Sequence, residues 1–256
     1  MIKYIGNKEN LNFLLENLKI NNENFTTVVS GSSFLINDKG YIYRCYANKL
    51  TSLKGFYFIK KFQKYIKDNN INYNFKANIT YQKLNPFLKL NKVYSKDIFE
   101  IDLKSAYWRF ALKNGFVNKE IYEEGLKVPK LVRLIALGSL AKVTYTFNYI
   151  NGKADKPVIE HSLNSGIFFK CSYDTDRILK ELILKLNKEQ FLFYWVDAVF
   201  IKGIEAKTII ENYLKNHSIE FKTIPLKSVC VKKTHVSVYG KKGKKELTYN
   251  FKKAMQ

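Results

Sequence analysis

The stretch FLFYWVDAVFI, residues 191–201, contains a single charged residue, Asp197, among apolar and aromatic side chains. Apolar residues on both sides of this aspartate predict two β-strands joined by a turn at Asp197. An unpaired carboxylate is costly to bury, so the fold must give Asp197 a partner. Two kinds of partner fit the pattern: backbone amides or a lysine inside a core, or a cation bound at the turn.

The stretch EIDLKSAYW, residues 100–108, places a second aspartate, Asp102, at the end of an apolar strand. A short helix ending at Gly115 is predicted directly after it. Asp102 fits either the N-cap of that helix or a metal ligand. Because two aspartates at the ends of different strands can share divalent cations, Asp102 and Asp197 together suit two-metal phosphoryl transfer.

A third acidic stretch, CSYDTDR at residues 171–177, resembles a metal site more closely by its letters. The residues that follow it, RILKELILKLNK, have apolar positions spaced for an amphipathic helix. Asp174 and Asp176 are therefore predicted at the N-terminus of that helix, where carboxylates accept from free amides. Replacing either by Asn is expected to cost at most about 1 kcal/mol. A metal-binding hairpin needs an apolar strand on both sides of its turn, which favours Asp197 as the site residue.

The composition of the 256-residue chain indicates a folded protein, since 46% of its residues are hydrophobic and 15% aromatic. It contains no apolar run long enough to span a membrane, and its start lacks the apolar core of a signal peptide. Cys45, Cys171 and Cys230 are widely scattered. This spacing favours a reducing cytoplasm and argues against a disulfide framework or a zinc site.

The charge of the chain is strongly unbalanced, with 44 Lys and Arg against 22 Asp and Glu and a net charge of +22. Such an excess favours a polyanionic partner, and nucleic acid is the first candidate. The plainer alternative is a solvated, lysine-rich surface in a protein from an AT-rich genome. Charge alone does not separate an enzyme from a binding protein.

The periodicity of the chain predicts an α+β fold with a mixed, largely antiparallel sheet packed on helices. Residues 1–95 are expected to form a small basic α/β domain, with helices at 8–19 and 55–68 and strands within 25–47. An irregular, Asn-rich region at 69–95 provides the expected boundary. From residue 96 onward, strands alternate with helices.

Four motifs resemble the palm subdomain of the family B DNA polymerases, over roughly residues 96–240. Asp102–Tyr107 is similar to the first palm motif, in which Ser and Tyr follow an Asp by three and five positions. Arg133–Lys142 is similar to the fingers-helix motif. Phe193–Ile201 resembles the Tyr-x-Asp-Thr-Asp-Ser hairpin, with Asp197 on the second aspartate. Val231–His235 is similar to the Lys-Lys-x-Tyr motif.

The resemblance implies a set of functional residues. Asp102 and Asp197 would be catalytic and would bind two Mg²⁺ ions, or Mn²⁺ in their place, together with the backbone carbonyl of Leu103. The implied substrate-binding residues are Ser105, Tyr107, Lys130 and Arg133, of which Tyr107 packs under the sugar and Lys130 and Arg133 are alternatives for the triphosphate. The implied DNA-binding residues are Lys142, Lys232 and Lys233.

The chain also departs from the family pattern. Trp195 occupies the place of the first aspartate in the hairpin motif. Too few residues separate Asp102 from Gly138 for a pair of long fingers helices, and too few follow His235 for an ordinary thumb. The expected architecture is therefore a palm at 96–256 with reduced fingers at 116–142 and a short C-terminal β extension.

The function implied is that of a minimal template-directed DNA polymerase, which transfers a nucleotide from a dNTP to a 3′-hydroxyl. The first 95 residues lack the acidic motifs of a proofreading exonuclease. A phage or mobile-element origin would place the protein in the host cytoplasm, with DNA as its partner and a replication protein supplying a thumb or processivity. The alternatives are a polymerase-derived DNA-binding accessory protein that has lost catalysis, and a primase or template-independent nucleotidyltransferase.

Overall fold

The computed structural model describes residues 2–4, 8–30, 33–46, 53–241 and 243–248. The helices are α1 (Lys8–Ile20), α2 (Leu53–Asp68), α3 (Ala106–Lys113), α4 (Lys119–Leu126), α5 (Lys130–Ser139), α6 (Ser165–Ile183) and α7 (Ile204–Asn216). The strands are β1 (Ile2–Tyr4), β2 (Phe25–Ser30), β3 (Ser33–Asp38), β4 (Tyr41–Tyr46), β5 (Gln82–Leu84), β6 (Val93–Tyr94), β7 (Ile98–Leu103), β8 (Val143–Ile150), β9 (Lys153–Ala154), β10 (Val158–His161), β11 (Phe191–Trp195), β12 (Ala198–Lys202), β13 (Phe221–Leu226), β14 (Ser228–Val231), β15 (His235–Gly240) and β16 (Gly243–Thr248).

The chain divides into two compact units that differ from the predicted domains. The first unit comprises Met1–Phe75 and Phe116–Phe168, and the second comprises Lys76–Gly115 and Phe169–Gln256. The predicted boundary at residues 95 and 96 differs because strands distant in sequence pair with each other. In the first unit β2 pairs with β8, and in the second β5 and β6 pair with β11 and β14.

The first unit is built on a sheet with the strand order β1-β4-β3-β2-β8-β10, with β9 paired to β8. The helix predicted at 8–19 is confirmed as α1, whose buried Leu11 and Leu18 pack with Phe25 and Ile36 of the sheet. The spacing of these leucines puts both on one face of the helix. The helix predicted at 55–68 is confirmed as α2.

The second unit contains two antiparallel sheets, ordered β13-β7-β12-β11-β5 and β16-β15-β14-β6. Phe193, Phe200 and Leu84 from the first of these form an apolar cluster with Val229 and Val236 from the second. Successive residues of a strand point to opposite faces, so these positions define the face of the first sheet that packs on the second. The prediction of an α+β fold with largely antiparallel pairing is confirmed.

The other face of the β13-β7-β12-β11-β5 sheet carries helices. The hydroxyl of Tyr194 on β11 donates to Asp176 of α6 over 2.6 Å, and α7 packs against β12. Among the residues described, no helix is both long and apolar enough to cross a membrane.

Candidate active site at Asp102 and Asp197

Asp102 lies near the end of β7, and Asp197 lies in the turn just before the neighbouring strand β12, both in the second unit. Asp102 is directly opposite Ala198 in the β7–β12 ladder, and the Leu103 amide donates to the Asp197 carbonyl over 2.9 Å. Antiparallel spacing therefore places the Cα atoms of the two aspartates within about 7 Å. Both residues are half-buried. The backbones of the two acidic residues selected from the sequence thus lie close together at one end of the sheet.

The predicted turn at Asp197 is confirmed as a two-residue hairpin turn. Trp195 pairs with Ala198, which leaves Val196 and Asp197 to connect β11 and β12. Val196 adopts a positive φ of 56°, a left-handed conformation that is a genuine outlier for a β-branched residue. The Val196 amide donates to the Tyr81 carbonyl over 2.6 Å, and this bond helps to fix the turn.

Ser105 provides a second strained residue near the aspartates. Ser105 has a φ of 50° and is the N-cap of α3, without a side-chain capping bond. The alternative that Asp102 is the N-cap is therefore wrong, because Asp102 belongs to β7 and is paired on both sides. Strained backbone of this kind concentrates at functional sites, where the surrounding structure holds it in place.

Tyr107 lies on α3 within the electrostatic field of Asp197. Its side chain is buried, with 6% of its surface exposed. Burial raises the pKa of Tyr107, and the negative charge of Asp197 raises it further, while a hydrogen bond with Ser172 opposes both effects. The tyrosine is therefore neutral beside the carboxylate. Its implied contact with a sugar stays a prediction.

The donor set of this site fits a hard divalent cation. Within the described residues, no cluster of three or more His, Cys, Asp or Glu side chains is arranged to hold a metal. Mg²⁺ is commonly held by one or two carboxylates, with water and substrate phosphates completing its coordination. Asp102 and Asp197, whose backbones are neighbours, are the candidates for such a pair of carboxylates. Leu103, the residue of the third implied ligand, is the buried last residue of β7.

Lys222 is a candidate site residue that the sequence did not reveal. It lies directly opposite Asp102 in the β13–β7 ladder and is exposed. Directly opposed side chains in antiparallel strands share a face, about 5 Å apart at Cβ. An ammonium group in this position can neutralise either Asp102 or an anionic substrate. Only the strand pairing brings this lysine to the site, because it lies far from Asp102 along the chain.

Trp195 lies beside the turn, where the family hairpin has its first aspartate. Its side chain is half-buried and packs on the apolar cluster between the two sheets of the second unit. The indole therefore supports the hairpin and supplies no carboxylate.

Asp174 and Asp176 lie inside α6, and the prediction that they begin a helix is wrong. The helix starts at Ser165 because the buried positions Ile167 and Cys171 extend its apolar stripe towards the N-terminus. Both aspartates are 3% exposed. Each is paired with a lysine of the same helix, Asp174 with Lys170 at 2.5 Å and Asp176 with Lys180 at 2.7 Å.

Further donors complete the surroundings of these two carboxylates. Asp174 accepts from the Asn114 side-chain amide over 2.8 Å. Asp176 accepts from the Tyr194 hydroxyl over 2.6 Å and from the Thr80 backbone amide over 3.3 Å. These contacts satisfy the buried charges from within the second unit. The two carboxylates act as structural anchors of α6.

Arg133, an implied triphosphate ligand, is held within the first unit. Its guanidinium Nη1 donates to the carbonyls of Val128 and Gly125 over 2.7 and 3.0 Å. Burial lowers the pKa of Arg133. The last carbonyls of a helix lack intrahelical partners, and this guanidinium satisfies carbonyls at the end of α4. The arrangement uses Nη1 to stabilise the fold, and the implied contact of Arg133 with a triphosphate stays a prediction.

The remaining implied lysines differ in position. Lys130 is the exposed first residue of α5, directly after Pro129, so the predicted helix start is confirmed. Lys142 is exposed immediately before β8, also in the first unit. Lys232 and Lys233 occupy the connection between β14 and β15 in the second unit, where Lys232 is half-buried and Lys233 is exposed. Their implied contacts with triphosphate and DNA stay predictions.

No protein-family model matches the chain, and no curated protein is significantly similar to it.

Proposed function

We propose that the protein is a nucleotidyltransferase, and specifically a minimal template-directed DNA polymerase with a reduced family B-like palm. The observation that carries the proposal is the proximity of the Asp102 backbone, near the end of β7, to that of Asp197, in the turn before β12 where Val196 is strained. The antiparallel sheet with helices on one face suits a palm. The net charge of +22 suits a nucleic-acid substrate.

Asp102 and Asp197 would hold two Mg²⁺ ions, with the Leu103 carbonyl as a further ligand. When bound, such ions lower the pKa of an attacking 3′-hydroxyl and stabilise the pyrophosphate leaving group. The neutral Tyr107 and the adjoining Ser105 would limit the space for the sugar. Lys222 would contribute positive charge beside Asp102, where the triphosphate must approach.

Lys142, Lys232 and Lys233 would contact the DNA backbone. Lysine–phosphate contacts release counterions, so binding that depends on them weakens steeply as salt rises. A replication partner protein would supply additional grip on the duplex.

A second candidate function is DNA binding without catalysis by a polymerase-derived accessory protein. The internal position of the Arg133 guanidinium and the presence of Trp195 at the hairpin favour it. A primase or template-independent transferase would use the same two carboxylates. The three functions differ in what they incorporate, and in whether they need a template.

The experiment is extension of a labelled primer with Mg²⁺, in the presence and absence of template, with dNTPs or NTPs. We expect template-dependent dNTP incorporation that Asp102→Asn and Asp197→Asn each reduce by at least about a thousandfold. Incorporation without template, or from NTPs, would instead identify the transferase or the primase.

Asp97→Asn is the matched control, because Asp97 is exposed and lies just before β7. Its positive φ of 52° suits Asn as well as Asp. This variant should keep full activity. DNA binding by a folded wild-type protein that incorporates no nucleotide under any of these conditions would support the accessory function and refute the polymerase.

A further inference from the structure

A basic cavity lies in the second unit and is lined by none of the residues assigned above. Its volume is about 430 Å³. The described residues that line it include Lys89, Lys92, Lys188, Lys202, Glu189 and Phe87. Lysines thus outnumber acidic side chains in its wall, and an aromatic ring lies among them.

The cavity is formed by a loop whose conformation a buried amide fixes. Asn85 is 5% exposed, and its side-chain nitrogen donates to the carbonyls of Lys188 and Phe191, each over 2.6 Å. Its side-chain oxygen accepts from the Phe87 amide over 3.0 Å. One residue thereby ties the loop that carries Phe87 to the segment that carries Lys188, so the two are held in a defined relation.

The aromatic ring of Phe87 is displayed at this site rather than buried. Its side chain is 61% exposed, and the Lys188 ammonium lies 4.7 Å from the ring centroid. A second pair of the same kind is formed by Lys92, whose ammonium lies 5.4 Å from the ring centroid of Tyr94. Exposed aromatic rings beside cations are the elements with which proteins bind unpaired nucleic-acid bases.

Four lysines and one acidic residue, Glu189, stand in the described lining of the cavity. Within the described part of the chain, the ammonium groups of Lys89, Lys92, Lys188 and Lys202 form no ion pair. All four lysines are exposed. An anion that enters the cavity therefore meets ammonium groups that no carboxylate already holds.

The cavity is separate from the aspartate site. Lys202 pairs with Ile98 at one end of the β12–β7 ladder, and Ala198 pairs with Asp102 at the other. Four residues of strand separate the two ends, which corresponds to about 13 Å. A ligand in the cavity therefore lies beyond the reach of a cation held at Asp102 and Asp197.

We propose that this cavity binds single-stranded nucleic acid, with phosphates on Lys89 and Lys202 and a base stacked on Phe87. An acidic peptide would use the lysines but gain little from the ring, and a duplex would not present an unstacked base. The combination of ammonium groups without carboxylate partners and an exposed ring therefore favours a single strand. The inference stands whether or not the protein is a polymerase.

The charge component is tested by fluorescence anisotropy with labelled oligothymidylate over a series of salt concentrations. Lys89→Ala/Lys202→Ala should weaken binding by about tenfold at moderate salt and lower the slope of log K against log salt by about 1.4, the value for two phosphate contacts in a single strand. The matched control is Lys215→Ala/Lys227→Ala, which removes the same charge from exposed lysines of the same unit that do not line the cavity. An equal loss of oligothymidylate affinity in both double variants would show that only the net charge of the protein matters, and would overturn the proposal.

The stacking component is tested by Phe87→Leu and Phe87→Trp, at a position exposed enough to accept either side chain. Phe87→Leu should weaken oligothymidylate binding by about tenfold. Phe87→Trp should keep the affinity of the wild type for oligothymidylate. It should also add tryptophan fluorescence to that of Trp108 and Trp195 in the wild type, and oligothymidylate should quench the added part. An abasic oligomer should leave that signal unchanged.

Other ligands decide between a nucleic-acid strand and a general polyanion. Polyglutamate and a blunt DNA duplex should bind with affinities that Phe87→Leu leaves unchanged. The proposal would be overturned by loss of polyglutamate binding in that variant, or by a Phe87→Trp variant whose added fluorescence oligothymidylate does not quench. Circular dichroism of each variant checks that the fold is retained.

Discussion

Two pairs of aspartates in the second unit have opposite surroundings. Asp174 and Asp176 are buried in α6, and each carboxylate is held by a lysine of the same helix and by a donor from elsewhere in the unit. Asp102 and Asp197 are half-buried at the end of a sheet, beside a hairpin turn whose Val196 has a strained backbone. The segment with the more polymerase-like letters is thus the structural one.

The contrast between the two pairs shows that the surroundings of a carboxylate, rather than the sequence motif in which it occurs, determine what it can do. A carboxylate with a full set of internal donors is committed to stabilising the fold. A carboxylate at a strand end, near a second carboxylate and partly open to solvent, is suited to binding a cation. The comparison therefore predicts that the two pairs respond oppositely to substitution.

The largest effect on stability is expected from Asp176→Ala. The substitution leaves the Thr80 amide without its acceptor and removes the ion-pair partner of Lys180. It also removes one of the two acceptors of the Tyr194 hydroxyl, which keeps only the Thr80 carbonyl. The free energy of unfolding should fall by about 4 kcal/mol, whereas Asp102→Ala should lower it by at most about 1 kcal/mol. Chemical denaturation of both variants measures the difference. Equal decreases in the free energy of unfolding of the two variants would contradict the distinction between the two pairs of aspartates.

The expectation that Asn at Asp174 or Asp176 costs at most about 1 kcal/mol depends on a position at a helix N-terminus. The interior position of both residues removes that basis. The amphipathic pattern after Asp176 correctly indicates a helix, but the stripe also runs back through Thr175, Cys171 and Ile167. The polar letters of CSYDTDR conceal this continuation, because lysines four residues away neutralise the aspartates inside the helix.

Much of the second unit could be predicted from local patterns. The apolar run around Asp197 indicated a hairpin, and the apolar strand before Asp102 indicated the neighbouring element, since both signals lie within a few residues. The pairing of strands that are distant in sequence leaves no such local pattern. The approach of Lys222 to Asp102 and the pairing of β2 with β8 depend on strand order, which a single sequence does not encode locally. The commitment of Arg133 to carbonyls at the end of α4 is likewise visible only in three dimensions.

A smaller effect is expected at alkaline pH, from tyrosines that donate to carboxylates of α6. Burial and a hydrogen bond to Glu181 together raise the pKa of Tyr213 to about 12. Burial and Asp176 likewise raise the pKa of Tyr194. Because these pKa values lie above that of an unfolded tyrosine, near 10, the stabilisation is complete below about pH 10 and is lost as the pH rises towards 12.

Denaturation measured at intervals across this range, with tyrosinate absorbance as a second signal, checks the prediction. Tyr213→Phe should show a shallower decrease in the free energy of unfolding than the wild type. A wild-type stability that is unchanged or increases between about pH 10 and 12 would contradict the assigned surroundings of these tyrosines.

The smallest effect is expected at the strained turn beside Asp197. Val196→Gly removes the side chain that disfavours a φ of 56°, so the free energy of unfolding should rise by about 0.5 kcal/mol, net of the greater freedom of glycine in the unfolded chain. Val199→Gly, in the fully buried part of β12, should instead lower it by about 3 kcal/mol. Thermal denaturation of both variants provides the comparison. A loss above about 1 kcal/mol in Val196→Gly would show that the turn is not strained.

The most direct test of the central claim is Mn²⁺ binding, followed by electron paramagnetic resonance of the free ion. We expect the wild-type protein to bind Mn²⁺. Asp102→Asn and Asp197→Asn should each abolish this binding, whereas Asp174→Asn and Asp176→Asn should retain it. Unchanged Mn²⁺ binding in Asp102→Asn and Asp197→Asn, or its loss in a folded Asp176→Asn variant, would contradict the assignment of the cation site to Asp102 and Asp197.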